Sequence, residues 1–124
     1  SEQKYKIRAL RGYLRIAKQI ELRPETRVEM CQKALPVCQR DEERTLVLQV
    51  LELNPIAPAL PLAVSLLERP SLKDEAGRVA VVIAEKVIDA DKAAVAQAMQ
   101  QVVAAGGTPE VVDRAKALAE EAKR

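Results

Sequence analysis

An internal repeat of two helical segments constrains the fold of this chain more than any other feature. Residues 41–52 read DEERTLVLQVLE and align without a gap with DEAGRVAVVIAE at residues 74–85, at an offset of 33. The same offset places residues 60–67 over residues 93–100. A period of this length that holds two helices is typical of an α-solenoid, because one helix pair cannot bury its apolar faces alone. The repeat therefore predicts an all-α, right-handed α-solenoid with Leu46 in the seam between pairs.

The hydrophobic periodicity predicts seven helices. Apolar residues recur at helical spacing along the chain, over about residues 2–20, 24–38, 41–54, 58–68, 71–88, 91–105 and from 108 onward. Asp41, Asp91 and Thr108 suit N-cap positions, and Gly106 suits a helix stop. We expect a single domain, residues 1–124, of about three helix pairs followed by a C-terminal capping helix.

The composition argues against catalysis. The chain of 124 residues contains no His, which removes the commonest general base and metal ligand. On one continuous helix, Cys31 and Cys38 would lie about 10.5 Å apart along the axis. A disulfide needs Cα atoms within about 7 Å, so both cysteines are expected to be reduced core residues. We expect a protein that is not an enzyme, with no catalytic residue, no cofactor and no metal site. No run is apolar enough to span a membrane.

Two acidic clusters have a structural and a catalytic interpretation. Asp89 with Asp91, and the three acids at residues 41–43, could serve as paired carboxylates for acid–base chemistry or Mg²⁺ binding. Both clusters lie at predicted helix starts, where the helix dipole favours negative charge. Helix capping is therefore the preferred interpretation.

We expect three arginines to take equivalent positions in successive repeats: Arg8, Arg44 and Arg78. They could form a ladder of cations for an acidic ligand. They could instead pair with acids at the helix starts or in the neighbouring repeat, for which the candidates are Glu42, Asp74 and Glu75. Because the repetition follows the scaffold, the structural interpretation is preferred.

Three segments resemble a known family. They are KIRALRGYLRIA at residues 6–17, ETRVEMC at residues 25–31 and AVAQAMQQVVAA at residues 94–105. These resemble HEAT-like repeat regions of bacterial multidomain proteins, including keto-disaccharide hydrolase-like sugar-active proteins, and PBS-lyase-type HEAT arrays. The resemblance implies a helical repeat module for protein contacts, as an appendage of a larger secreted or envelope protein. The start of the chain on a charged helix favours the same expectation of an excised domain.

The leading functional hypothesis is a non-catalytic protein-interaction or structural scaffold module. Its partner would be an unknown protein or a neighbouring domain of a parent chain. We expect the second helix of each pair to form the partner surface, with exposed polar residues that include Gln32, Gln39, Ser65, Gln97 and Gln101.

Two alternatives come from other classes of protein. A stripe of basic residues on the first predicted helix could contact nucleic acid, as in HEAT-like DNA glycosylases: Lys4, Arg8, Arg11, Arg15 and Lys18. A solvated outer face is preferred, because only Tyr5 and Tyr13 could supply stacking. The third hypothesis, a PBS-lyase-type chromophore lyase, is disfavoured by the absence of His.

Overall fold

The computed structural model describes residues 23–124 together with Gly12, and this described part is helical. Its six helices are α1 (Pro24–Ala34), α2 (Asp41–Leu53), α3 (Ala59–Ser65), α4 (Lys73–Val87), α5 (Lys92–Ala105) and α6 (Pro109–Ala122). Short 3-10 turns, Leu35–Val37 and Leu66–Glu68, extend α1 and α3. No strand occurs among the described residues. The all-α class is therefore confirmed, while the helix predicted over residues 2–20 lies outside the described residues.

The helix ends follow the expected local chemistry at some positions and not at others. Asp91 caps α5 as predicted, since its Oδ1 accepts the Ala94 backbone N–H at 3.0 Å. Asp41 is instead the first residue of α2, with Arg40 at the N-cap position. Thr108 stands at the N-cap position of α6 but makes no capping hydrogen bond through its side chain. Gly106 ends α5 with a φ of 80°, a left-handed value that glycine adopts without strain.

The second predicted helix is shorter than the sequence pattern indicated. Helix α1 ends at Ala34, and the chain tightens into the 3-10 turn that contains Pro36. Pro36 removes one backbone donor from the helix, while Leu35 before it keeps helical angles and the backbone becomes extended at Cys38. Cys38 therefore lies beyond the helix, in extended backbone, yet its side chain stays buried.

Contacts between helices join neighbours along the chain and next-but-one neighbours. Successive helices pack on one another from α1 to α6. In addition, α1 contacts α3 and α3 contacts α5, while α2 contacts α4 and α4 contacts α6. The described helices thus form two series, the odd-numbered and the even-numbered, with α3, α4 and α5 packed at the centre.

Among residues 23–124, the core consists of aliphatic side chains, and this part of the sequence contains no aromatic residue. Its largest fully buried apolar side chains come from five of the six helices: Leu48, Leu51, Leu60, Ile83, Met99 and Leu118. Small residues allow helices to approach closely. At Gly77 on α4, an added Cβ would lie 3.3 Å from Val111 Cγ1 on α6. Helix α6 therefore packs almost directly on the α4 backbone at this point.

The position of Leu46 differs from the prediction. Leu46 is only half-buried at the edge of the core, whereas Val47 and Leu48 are fully buried. Helix α2 is covered on more than one side, because it packs against both α1 and α4. Leu48 is therefore the more deeply buried of the two leucines, and Leu46 packs at the margin of the core.

Candidate functional site

Two adjacent grooves run along the odd-numbered helices. The α3–α5 groove, with a volume of about 620 Å³, lies between α3 with its 3-10 turn and α5. The α1–α3 groove, with a volume of about 600 Å³, lies between α1 and α3 and is bordered by Arg44 of α2. Ser65 and Glu68 line both grooves, so the two form one surface.

The structure brings four of the five predicted surface residues to these grooves. Ser65, Gln97 and Gln101 line the α3–α5 groove, and Gln32 lines the α1–α3 groove together with Ser65. All four are exposed. Gln39 is also exposed but lines neither groove, because it lies in the connection between α1 and α2.

The α3–α5 groove is apolar at its base and polar at its rims. Leu60, Val64 and Ala98 form buried parts of its wall. The rims carry Ser65 and the two glutamines, which are uncharged. The Ser65 hydroxyl donates to the Leu62 carbonyl at 2.6 Å. The single charged side chain that lines this groove among the described residues is the exposed Glu68.

Glu68 was not singled out from the sequence, although the repeat offers a signal for it. The offset of 33 places Glu68 over Gln101, which was predicted to lie on the surface. The same offset relates Gln32 to Ser65 and Ser65 to Ala98. Applying the repeat to the surface residues would therefore have identified Glu68 and Ala98 as groove residues.

Arg44 in the α1–α3 groove is held by its own chain. Its side chain is 10% exposed, and Nη1 donates to Asp41 Oδ1 at 3.0 Å. Nη2 donates to the Cys38 carbonyl at 2.9 Å. The Ser71 hydroxyl also donates to Asp41, and this hydrogen bond, followed by Arg44, lowers the pKa of the Asp41 carboxyl. Arg44 therefore ties the start of α2 to the end of the preceding turn.

Arg78 is engaged differently, so the two arginines are not equivalent. On α4, its guanidinium bonds Glu75 at 2.5 Å and Glu52 of α2 at 2.8 Å and 3.0 Å. Hydrogen bonds to Glu52 and then Glu75 raise the pKa of Arg78. The gapless alignment in fact places Gly77, not Arg78, over Arg44. Arg44 and Arg78 therefore both pair with acidic residues of the chain itself, which is the structural interpretation preferred from the sequence. Glu75 was correctly predicted as one of these partners.

A second ion pair repeats the Arg78–Glu52 contact one step along the chain. Arg114 Nε on α6 donates to Glu85 Oε1 on α4 at 2.9 Å. Glu52 and Glu85 are repeat equivalents at the offset of 33. The even-numbered helices are thus joined twice by an arginine–glutamate pair, and no spacing within a single helix predicts these long-range pairs.

The acidic cluster at the start of α2 is engaged in local structure. Glu43 is fully buried, and its Oε2 accepts the Gln39 backbone N–H at 3.1 Å. This contact holds the chain just before α2, in the manner of a capping box. Glu43 Oε1 has no hydrogen-bond partner. Asp91 caps α5, as described above, whereas Asp89 is exposed.

The two thiols are reduced and buried. Cys31 is fully buried, and Cys38 donates to the Ala34 carbonyl at 3.4 Å. Desolvation raises the pKa of Cys31 to about 12, with a contribution from Cys38. Desolvation, followed by Glu43, raises the pKa of Cys38 to about 11. Thiols with raised pKa values are poor nucleophiles, because the thiolate is the reactive form.

The described residues contain no group of three or more His, Cys, Asp or Glu side chains placed to hold a metal ion. Within the described part, no helix combines the length and the apolar composition needed to cross a membrane.

The predicted basic stripe lies outside the described residues: Lys4, Arg8, Arg11, Arg15 and Lys18.

No family model, curated protein or solved structure matches this chain. The resemblance to HEAT-like repeats therefore remains a prediction.

Proposed function

We propose that this chain is a non-catalytic binding module built as an α-solenoid, which contacts another protein, or another domain of its own parent chain, through the odd-numbered helices. In this proposal, α2 with α3 and α4 with α5 are successive helix pairs. Helix α6 caps the stack, and α1 is the second helix of the first pair.

The arrangement of contacts supports the solenoid. In a solenoid each first helix stacks on the first helix of the next pair, and each second helix does the same. The next-but-one contacts of both series follow this rule. The ion pairs Glu52–Arg78 and Glu85–Arg114 occur at successive steps of the even-numbered series. The two glutamates are 33 residues apart and the two arginines 36 residues apart, so the pairs recur at close to the repeat length, which a stack of repeats explains more simply than a shared-core bundle does.

The cap assignment rests on the surface of α6. Its buried residues are confined to Ala115, Leu118, Ala119 and Ala122, on one face. The opposite face is charged and exposed, including Asp113, Lys116 and Glu120. A helix of this kind covers an apolar face on one side and presents a polar face to solvent on the other.

The observation that carries the binding function is the surface formed by the two grooves. Two adjacent grooves, which share Ser65 and Glu68, are lined by four residues that the sequence predicts as partner contacts: Gln32, Ser65, Gln97 and Gln101. A concave surface with apolar walls and a few polar groups at its rims is typical of a binding site. Among the described residues, Asp91 caps α5, and Glu52, Glu75 and Glu85 are held in ion pairs with arginines.

Site-specific photo-crosslinking in cells that make the full-length protein would test this function. A benzophenone amino acid would replace Ser65 or Gln97 in the grooves, and Lys86 or Lys116 on the even-numbered helices as controls. We expect the groove positions to crosslink to one discrete polypeptide, or within the parent chain, and the controls to do neither. Equal crosslinking from all four positions, or none from the groove positions, would overturn the proposal.

A further inference from the structure

The α3–α5 groove has a length and a charge that point to one kind of occupant. Its lining residues on α5 extend from Ala94 to Ala105. Eleven helical steps of about 1.5 Å make this wall about 16 Å long. An extended polypeptide advances about 3.3 Å per residue, so about five residues would cover the same distance. The groove therefore suits an elongated occupant better than a compact small molecule.

The two glutamines on the rim have the spacing of an extended chain. Gln97 and Gln101 lie one helical turn apart on the same face of α5, which corresponds to about 6 Å. Alternate residues of an extended chain are about 6.6 Å apart. Each glutamine amide can both donate to a carbonyl and accept from an N–H group. Two such amides can therefore bond the backbone of alternate residues, whatever their side chains.

The electrostatics of the groove favour a cation. Glu68 is the one charged residue that lines it in the described part of the chain, and it is exposed. Ala104 and Ala105, the last two residues of α5, also line the groove. Leu67 and Glu68 lie just past the end of α3. The carboxyl ends of helices carry partial negative charge, so two helix ends and a carboxylate act together here.

We infer that the α3–α5 groove binds an extended peptide segment of the partner that places an apolar side chain against Leu60, Val64 and Ala98 and a Lys or Arg side chain against Glu68. Gln97 and Gln101 hold the peptide backbone. This inference rests on the proposed function and adds the chemistry of the partner segment.

Two pools of nine-residue peptides provide the probe. Each peptide carries one Leu, Val or Met in a background of Ser and Thr. In the cationic pool a Lys or Arg stands two to four residues from this apolar residue, and in the anionic pool a Glu takes the same position. Binding to the full chain is measured by fluorescence anisotropy at 0.15 M salt. We expect saturable binding of the cationic pool and roughly tenfold weaker binding, or none, of the anionic pool.

Matched variants locate the binding. Glu68→Gln should weaken binding of the cationic pool about three- to tenfold, while Glu110→Gln, at an exposed acid on α6, should leave it unchanged. Ala104→Arg should abolish it by filling the groove with a cation, and Ala117→Arg, on the exposed face of α6, should not. All four positions are exposed, so each variant is expected to fold, which circular dichroism verifies.

Equal binding of the two pools, or indifference to Glu68→Gln and Ala104→Arg, would overturn the inference. If the groove positions still crosslink to a discrete polypeptide in that case, the proposed function stands and only the stated partner chemistry is wrong. Absence of both crosslinking and peptide binding would reject both.

Discussion

Arg78 on α4 reaches Glu52 on α2 across 26 residues of sequence, with Nη1 2.8 Å from Oε2. The same guanidinium also holds Glu75 on its own helix. One side chain therefore links the start of α4 to the end of α2. Arg114 and Glu85 repeat the link between α4 and α6.

Replacing this arginine should weaken the fold in a pH-dependent way. The Arg78 hydrogen bond lowers the pKa of Glu75 below its ordinary value of 4.5. The resulting stabilisation is present above pH 4.5 and is lost as the pH falls through the lowered pKa. Because the pair is partly exposed, Arg78→Met should reduce the free energy of unfolding by about 0.5–1 kcal/mol at pH 7.

Urea unfolding at pH 7 and at pH 2.5 measures this effect. The difference between Arg78→Met and the parent chain should shrink toward zero at the lower pH. Lys116→Met, at an exposed cation of α6, serves as the control and should change little at either pH. A difference that persists unchanged at pH 2.5 would mean that Arg78 acts through packing rather than through its carboxylate partners.

The buried cysteines should react slowly in the native protein. Because burial raises the pKa of Cys31 to about 12 and that of Cys38 to about 11, very little thiolate exists at pH 8. We expect labelling of both thiols by a disulfide reagent to proceed at a rate limited by opening of the structure, and at once in denaturant. Fast labelling without denaturant would show that α1 is not packed as described.

Asp91 and Asp89 form a natural pair for testing the capping assignment. Asp91 accepts the Ala94 N–H, whereas Asp89, two residues earlier in the connection from α4, is exposed. Asp91→Ala should cost about 1 kcal/mol, the usual value for loss of an N-cap. Asp89→Ala should change the unfolding free energy by less than about 0.5 kcal/mol. Thermal melts of the two variants measure this difference. Equal losses of stability would contradict the assignment of Asp91 as the N-cap of α5.

The helix positions could be predicted because apolar spacing and end signals agree along most of the chain. Pro24, Asp41, Asp91 and Gly106 mark boundaries within a residue or two of the observed ones. The end of α1 could not be placed, because Cys38 continues the apolar pattern while Pro36 interrupts the backbone. Which side of α2 lies deepest also depends on helices distant in sequence, so the pattern within α2 alone predicts burial of Leu46, whereas Leu48 is the fully buried leucine.

The candidate surface could be predicted only in part. Exposed polar residues on the second helices follow from periodicity, which is why Ser65, Gln97 and Gln101 were found. The groove itself depends on the separation of α3 and α5, and no local pattern reports that distance. Long-range ion pairs such as Arg114–Glu85 were missed for the same reason.

The buried leucines of α2 should differ in their contribution to stability. Leu48 is fully buried, so Leu48→Ala should cost about 2–5 kcal/mol, the usual range for a buried leucine. Leu46 is half-buried, and Leu46→Ala should cost clearly less. Urea denaturation of both variants tests this order. A larger loss of unfolding free energy for Leu46→Ala than for Leu48→Ala would mean that Leu46 lies in the seam between helix pairs, as the sequence pattern predicts.

Native-state hydrogen exchange of Leu118→Ala tests the stacked arrangement most directly. Leu118 is buried in α6, which contacts α4 and α5 but lies at the far end from α1 and α2. In a solenoid the loss spreads mainly to neighbouring helices, so amides of α5 and α6 should exchange faster while those of α2 keep their rates. Uniform acceleration across all six helices would contradict the account, because it would mean that α6 completes a core shared by the whole domain.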